Sequence, residues 1–193
     1  MKETFLIAII IIIIYLFLFH NKKNVILTEG RDNKKYLVYN DTNKHESAIL
    51  LGDIINNMFK LKDYLYENID KYPEFEKYIK QLYRNLNKER SLIYENDPNS
   101  KLTSFSVNKG EEIAFCLKSK KTGKIHDLNL LMYVALHEMA HIACPEIGHG
   151  SLFKKIFKFL TETAIEIGIY IMDNYERKNI EYCGMMLTSN ILV

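Results

Sequence analysis

The stretch that most constrains this chain is the apolar run 128–143, which contains three ionisable side chains within five positions. These are His137, Glu138 and His141, in the order His-Glu-x-x-His. Positions four apart lie on one face of a helix, so both imidazoles can point to the same spot. Burying three ionisable groups in an apolar helix is costly unless something pairs with them. The stretch therefore predicts a helix that is buried nearly all round and built around a polar site.

Two histidines four positions apart are spaced to bind a single metal ion. Imidazole nitrogen is a common zinc ligand, and Glu138, one position round from His137, can reach a metal-bound water without being a ligand itself. This arrangement is typical of zinc hydrolases, in which the glutamate is the general base. A pair of hydrogen-bonded core histidines is the alternative. The cost of burial favours the metal site, with Zn²⁺ as the cofactor.

A catalytic zinc site has a third protein ligand and an open position for water. We expect His149 to be this ligand, because it follows His141 across a short loop. Pro145 breaks the helix, and Gly148 and Gly150 allow the loop to turn back.

Three other residues remain candidates for the third ligand: Glu162, Glu166 and Cys144. Both glutamates fall on the polar stripe of the next predicted helix, 151–172. Lys158 stands four positions before Glu162 and can pair with it. The stripe therefore favours a solvated role for the glutamates.

The patterns around the motif predict one α+β domain over residues 36–193. Apolar residues recur every three or four positions between residues 46 and 88, which predicts helices interrupted near Pro73. Two β-prone runs that meet at Asn108-Lys109-Gly110 predict a hairpin over 102–117. The remaining predicted features are short strands at 36–39, 92–94 and 182–187, and an N-cap at Asp127 for the motif helix 128–143.

The N-terminus carries fifteen uncharged, almost wholly apolar residues, 5–19. As a helix they span about 22 Å, and flanking lysines can snorkel outward to match a ~30 Å hydrocarbon core. No small-residue cleavage site follows, so we expect an uncleaved membrane anchor over 1–22 and a linker over 23–35. A cleaved signal peptide and a buried core helix are the alternatives. The lysines after the span predict a single-pass protein with its C-terminal domain on the cytoplasmic side.

Charge and cysteine content narrow the partners and the compartment. Lys and Arg number 26 against 24 Asp and Glu, so no field of one sign attracts nucleic acid. The basic stretch Lys118–Lys124 lacks interleaved aromatic residues, and we expect a solvated turn and no nucleic-acid partner. The three cysteines, Cys116, Cys144 and Cys183, are odd in number and far apart. This pattern argues against a disulfide framework and fits a reducing compartment.

These motifs together resemble the WLM/SprT-like group of zinc metallopeptidases. The resemblance rests on His137-Glu138-Met139-Ala140-His141, followed by a third histidine, His149, and by an aromatic residue four places on, Phe153. The wider run 104–184 is similar to WLM-like proteins of large DNA viruses. The resemblance extends over about residues 36–190.

The resemblance implies a small zincin fold, in which a short β-sheet packs on the motif helix. It implies that His137, His141 and His149 bind zinc and that Glu138 is the catalytic base. The expected protein is a membrane-anchored zinc metallopeptidase that hydrolyses peptide bonds in a protein or peptide substrate. Two alternatives are a zinc-binding structural or assembly protein at the membrane, and a zinc hydrolase of a non-peptide bond.

The expected mode of substrate binding follows from the predicted hairpin. An extended peptide can pair with the unpaired backbone groups of an edge strand, either 102–107 or 112–117. Tyr182 and His126 are candidates for stabilising the oxyanion. Their spacing does not distinguish that role from a structural one.

Overall fold

The computed structural model describes residues 24–175, 180–187 and 191–192. The predicted membrane anchor, residues 1–22, lies outside this part of the chain. Within the described ranges, no helix is both long enough and apolar enough to cross a membrane.

The fold is α+β and contains a mixed five-stranded sheet. The strands are β1 (Val25–Glu29), β2 (Lys35–Tyr39), β3 (Leu92–Glu95), β4 (Phe105–Val107) and β5 (Glu112–Phe115). Strands β3 and β2 run parallel, as do β3 and β5, whereas the pairs β1–β2 and β4–β5 are antiparallel. The order across the sheet is β1-β2-β3-β5-β4, so β5 is paired on both sides and β4 forms one edge.

Within the ranges that the structure describes, four α-helices pack together beside this sheet. They are α1 (Lys44–Glu67), α2 (Glu76–Asn85), α3 (Leu128–Ala143) and α4 (Ser151–Glu166), and two short 3₁₀ turns, Ile69–Lys71 and Pro73–Phe75, join α1 to α2. Helix α1 packs on β1, β2 and β3, whereas the motif helix α3 contacts α1, α2, α4 and strand β4. An amphipathic helix can cover a sheet with one face, but a helix that is apolar all round needs neighbours on every side. The long helix α1 therefore covers most of the sheet, and α3 meets the sheet at β4.

The motif helix has the predicted bounds. Asp127 caps it, since its Oδ1 accepts the N–H of Leu130 at 2.9 Å, and Cys144 before Pro145 is extended. Most of its side chains are buried; the partly exposed ones are Leu128, Asn129, His137 and His141. The two histidines are therefore the polar opening of an otherwise buried helix.

The expected hairpin over 102–117 is confirmed as β4 and β5. Asn108, Lys109 and Gly110 all have positive φ, at 49°, 56° and 100°. A Cβ at Gly110 would lie 3.1 Å from the side chain of Ile142. The turn is thus pressed against the C-terminal end of α3, next to the motif.

The predicted linker over 23–35 is wrong for Val25–Glu29, which forms β1. Backbone pairing with β2 defines this edge strand, and the side chains of Ile26 and Leu27 remain exposed. A strand of mixed polarity, half open to solvent, has a weak sequence pattern, and its partner is what stabilises it.

Two predictions for the C-terminal part also need correction. The helix expected over 151–172 ends at Glu166, because Gly168 takes a left-handed φ of 71° that stops the helical ladder. The single strand expected over 182–187 is a small hairpin of β6 (Glu181–Tyr182) and β7 (Met185–Met186). Its two-residue turn has positive φ at both positions, as hairpin turns of this length favour.

The prediction that the cysteines form no disulfide is wrong. Cys116 and Cys183 are bonded across 67 positions, and Cys144 is free and buried. The β6–β7 hairpin carries Cys183 to the end of β5, and only the tertiary fold determines this approach. The cysteine content therefore no longer supports a reducing compartment.

The expected solvated turn over Lys118–Lys124 is wrong at its first two residues, since Ser119 is buried as well as Lys118. Lys118 is buried, and its Nζ lies 2.7 Å from Asp41 Oδ2 and 2.9 Å from Glu95 Oε1. Its charge is therefore internal to the fold.

Candidate metal centre

Three imidazole nitrogens converge beside the C-terminal half of the motif helix, at its partly exposed positions His137 and His141. His141 Nε2 lies 3.1 Å from the Nε2 atoms of both His137 and His149, and the last two are 3.0 Å apart. The structure thus brings together the two motif histidines and the histidine that follows the loop.

Hydrogen bonding cannot account for this triangle of nitrogens. Each nitrogen of a neutral imidazole either donates or accepts a hydrogen bond. With three nitrogens in mutual contact, at least one pair must be two donors or two acceptors. A shared cation removes the conflict, because all three lone pairs can then point to it.

The triangle fits a single metal ion. Zn–N bonds are ~2.0–2.1 Å long, and nitrogens 3.0–3.1 Å apart lie within reach of one such centre. Within the described residues, these three histidines form the group of ligand-type side chains that could hold a metal.

The electrostatic surroundings keep the motif histidines in the form that binds metals. Burial is the main cause that lowers the pKa of His137 to about 3, and the neighbouring His141 and His149 contribute to this shift. Burial, His149 and Lys109 lower the pKa of His141 to about 4. Both rings are therefore neutral at ordinary pH, as metal coordination requires.

The local fold explains how the third histidine reaches the other two. After Pro145 the chain turns through Gly148, which has a left-handed φ of 85°. Gly150 then begins α4, whose first turns pass back over α3. The loop thus returns His149 to the motif helix.

One phenylalanine packs against all three imidazoles. The ring centroid of Phe153 lies 5.0 Å from that of His137, 4.3 Å from that of His141 and 4.8 Å from that of His149. Phe153 is 2% exposed, so its own position is set by the core. It restricts the ring orientations on which the convergence of the nitrogens depends.

Glu138 is the buried carboxyl group beside the histidine cluster. It is 4% exposed, and the effect of burial, reduced by a hydrogen bond from Ser106, leaves its pKa raised to about 7. A carboxyl group poised near neutral pH can both take up and release a proton. A nearby dication would shift its pKa downward.

The cluster opens into a cavity of about 610 Å³. Edge strand β4 and the hairpin turn form one wall, the motif helix forms the floor, and the loop with His149 forms the other wall. The lining residues are Ser104, Phe105, Ser106, Asn108, Lys109, His137, Glu138, His141, Glu146, Ile147, Gly148 and His149. The cavity gives an extended molecule access to the histidine nitrogens and Glu138 from solvent.

The rival candidates for the third ligand lie elsewhere. Glu162 is exposed, with its Oε1 3.9 Å from Lys158 Nζ, and Glu166 accepts a hydrogen bond from Tyr64 at 3.0 Å. Cys144 is fully buried. None of the three belongs to the described group of converging ligand atoms.

The two candidate oxyanion donors are placed differently. The Tyr182 hydroxyl hydrogen-bonds Ser104 Oγ, and Ser104 lines the cavity. His126 instead contacts Cys183, because its Nε2 accepts the backbone N–H of that cysteine at 3.3 Å. Tyr182 therefore reaches the cavity wall indirectly, through its hydrogen bond to Ser104.

Sequence reasoning missed two contributors to the site. It gave no role there to Ser106, which bonds Glu138, or to Lys109, which bonds backbone carbonyls beside the cluster. Both act through contacts between elements distant in sequence, so no local pattern could have identified them. Phe153 was noted for its spacing after His149, and its contacts with all three rings come from the structure.

Comparison with known proteins gives viral relatives. No protein-family model matches the chain. The chain is 47% identical over 190 residues to protein R325 of Acanthamoeba polyphaga mimivirus. The aligned residues cover 96% of this chain and 95% of that protein. It is 45% identical over 69 residues to protein 136R of Invertebrate iridescent virus 6, or 35% of this chain and 38% of that protein.

Among solved structures, the chain is similar to the crystal structure of Wss1 from Saccharomyces cerevisiae. The match has 16% sequence identity and a TM-score of 0.37, and it covers 52% of this chain and 81% of that chain.

Proposed function

The chain belongs to the same protein family as R325 of Acanthamoeba polyphaga mimivirus, and from its site we propose that it is a zinc-dependent metallopeptidase. One observation carries the proposal: three imidazole nitrogens 3.0–3.1 Å apart lie beside the buried carboxyl group of Glu138 in an open cavity. Three nitrogen ligands leave the fourth zinc position free, which is the composition of a catalytic rather than a structural site.

In the proposed reaction, His137, His141 and His149 would hold the zinc. When bound, zinc would polarise the scissile carbonyl and lower the pKa of the attacking water to about 7. Glu138 takes one proton from the attacking water and delivers it to the leaving amine as the C–N bond breaks. The second water proton also passes to the amine, so the products at neutral pH are a carboxylate and an ammonium group. Ser106 orients the Glu138 carboxyl group through their hydrogen bond.

We place the substrate along β4. Of the two hairpin strands, β5 is paired on both sides, so β4 alone offers a free backbone edge. Ser104, Phe105 and Ser106 line the cavity, which brings that edge next to the histidines. A peptide that added a strand to β4 would carry its scissile bond past Glu138.

The test is a comparison of the parent protein with Glu138→Gln, both as the full chain purified in detergent. We expect each to bind one zinc ion per chain. We expect the parent to cleave a fluorogenic peptide library and the variant to be slower by about 10²–10⁴-fold, the usual contribution of a general base.

A matched control separates the base from the metal. His149→Ala should lose both zinc and activity, whereas Glu138→Gln should lose activity alone. Zinc binding without cleavage by the parent would favour a structural or assembly role. Cleavage of a non-peptide ester, with all peptides intact, would favour a zinc hydrolase of a non-peptide bond. Equal activity of Glu138→Gln and the parent would rule out the proposed mechanism.

We also propose that residues 5–19 anchor the domain in a membrane. The apolar run of fifteen residues supports this, and the lysines after it support a cytoplasmic orientation. The parent protein should remain in the membrane pellet after alkaline carbonate extraction. Replacing two central isoleucines, Ile11 and Ile12, with lysine should release it. Release of the parent itself would contradict the anchor.

A further inference from the structure

Lys109 contacts the backbone of the segment that joins the candidate ligands His141 and His149. It lies in the turn between β4 and β5, and its Nζ donates to three carbonyl oxygens. These are His141 O at 3.2 Å, Cys144 O at 2.5 Å and Glu146 O at 3.0 Å. One carbonyl thus belongs to a candidate ligand, and another belongs to the loop three residues before His149.

These contacts use the full donor capacity of the side chain. A lysine ammonium has three N–H groups, and three carbonyls accept them. No carboxylate lies within 4.0 Å of Lys109 Nζ in the part of the chain that the structure covers, although other lysines form such pairs. The cation is therefore committed to the backbone, and no proton remains to bind a substrate.

The position of the ammonium matches the chemistry of a helix end. The last carbonyls of a helix lack intrahelical partners and carry a partial negative charge. At the end of α3, Gln81 Nε2 donates a hydrogen bond to Ile142 O at 3.0 Å. Lys109 Nζ donates hydrogen bonds to His141 O and to the carbonyl oxygen of Cys144, which directly follows the helix. Pro145 follows and has no N–H to donate. Lys109 therefore replaces the turn hydrogen bonds that would join a helix to its following loop.

The hairpin turn holds Lys109 in place. Lys109 has a left-handed φ of 56°, between Asn108 and Gly110, which are also left-handed. The close packing of Gly110 on Ile142 fixes the distance between the turn and the helix end. A non-glycine residue keeps such a φ only when surrounding contacts compensate for it, and here the three carbonyls provide those contacts.

We infer that Lys109 is a positioning residue of the metal centre, which sets the distance of His149 from His137 and His141. It does so by tying the backbone of His141 to the backbone of the returning loop. The inference rests on the proposed zinc site and goes beyond it, since the Lys109 ammonium would act through backbone carbonyls and not as a zinc ligand.

The test measures zinc affinity in the full chain, by competition with a chromophoric chelator. Four proteins are compared: the parent, Lys109→Met, Lys109→Arg and Lys120→Met. Lys120 is the matched control, because its Nζ also bonds two backbone carbonyls, those of Ser100 and Leu102, away from the histidines. We expect Lys109→Met to bind zinc about 10–100-fold more weakly, as loss of an outer partner of a metal site typically does. Lys120→Met should match the parent.

Cobalt supplies a readout that stability alone would not change. At saturating Co²⁺, the visible bands of the parent should have the intensity of a four-coordinate site, and Lys109→Met should lose much of it as His149 moves away. Unfolding curves in EDTA give the folded fraction of each variant, by which its apparent affinity is corrected. Lys109→Arg keeps the charge and the donors, and we expect its affinity within about fivefold of the parent's.

Three results would overturn the inference: zinc affinity of Lys109→Met within twofold of the parent's, an unchanged cobalt spectrum, or Lys109→Arg as weak as Lys109→Met. The last would assign the effect to packing of the turn. If the parent itself binds no zinc, the proposed function falls and this inference falls with it. If the parent binds zinc and Lys109→Met binds equally well, this inference alone fails.

Discussion

Side chains at the histidine cluster divide into those that could touch a metal and those that hold them in place. His137, His141 and His149 form the first group. Phe153 belongs to the second, because its ring lies within 5.0 Å of all three imidazole centroids. The rigidity of a metal site depends on such surrounding packing as much as on its ligands.

Phe153→Ala should therefore weaken zinc binding as well as stability. Removing a buried phenylalanine costs about 3–5 kcal/mol of unfolding free energy. Phe159→Ala is the control, because Phe159 is also buried but stacks on Phe75, away from the histidines. Urea unfolding should give both variants similar losses, and chelator competition should give weaker zinc binding for Phe153→Ala alone. Equal zinc affinities would mean that Phe153 serves the core only.

The carboxyl group of Glu138 should make the stability of the metal-free protein depend on pH. Its pKa is raised from 4.5 to about 7 by burial, so the folded state holds the proton more tightly than the unfolded state. The stability from this proton is complete below about pH 4.5 and is lost as pH rises through 7. Glutamine is neutral at every pH and avoids the loss.

Glu138→Gln in EDTA should therefore gain unfolding free energy relative to the parent as pH rises from 5 to 8. The expected gain is about 2–3 kcal/mol, from ~1.4 kcal/mol per pKa unit. His137 and His141 titrate in both proteins, so their effects cancel in the difference. The measurement is urea unfolding at several pH values. A difference that stays constant with pH would contradict the buried, protonated form of Glu138.

Among the secondary-structure elements, one buried cation joins the end of the sheet to the start of α1. Lys118 follows β5, and its Nζ lies between Glu95 at the end of β3 and Asp41 before α1. Glu95 is 1% exposed and also accepts the N–H of Tyr39 at 2.8 Å. Burial raises the pKa of Glu95, and the Lys118 ammonium counteracts that rise. Three elements thus depend on one lysine for charge balance.

Lys118→Met should destabilise the fold by about 3–5 kcal/mol, the usual cost of leaving one member of a buried ion pair without its partner. The double variant Lys118→Met/Glu95→Gln should recover part of that loss, because it removes the stranded charge as well. Urea unfolding at pH 7 measures both. A double variant no more stable than the single one would show that the unpaired charge of Glu95 is not the source of the loss.

Across the whole molecule, a disulfide ties the C-terminal hairpin to the sheet. The bond between Cys116 and Cys183 closes a loop of 67 positions that contains the motif helix, the ligand loop and α4. Next to Cys183, the Tyr182 hydroxyl bonds Ser104 at the cavity wall. The β6–β7 hairpin therefore supports the cavity wall at Ser104.

Reduction of this disulfide should lower stability by about 2–4 kcal/mol, since a crosslink restricts the unfolded chain. Urea unfolding with and without a thiol reductant measures the change. A Cys116→Ser/Cys183→Ser variant should be as unstable as the reduced parent and insensitive to the reductant. Sensitivity of this variant would instead implicate Cys144, the free buried cysteine.

Features that depend on neighbours in sequence could be predicted without a structure. The motif helix, its Asp127 cap and its end before Pro145 follow from local hydrogen bonding and from the period of the helix. The hairpin around Asn108-Lys109-Gly110 follows from turn chemistry. The end of α4 was misplaced, since the residues beyond Gly168 are apolar enough to continue the helical pattern.

The sequence by itself thus determined that two histidines and a glutamate share one buried helix, because residue spacing sets their geometry. The short loop after Pro145 also indicated His149 as the third ligand. Only the tertiary structure decided which other groups surround them. The contacts of Lys109, the free edge of β4 and the pairing of Cys116 with Cys183 all link positions far apart in the chain. Such contacts are stabilised by packing between elements, and no local pattern encodes them.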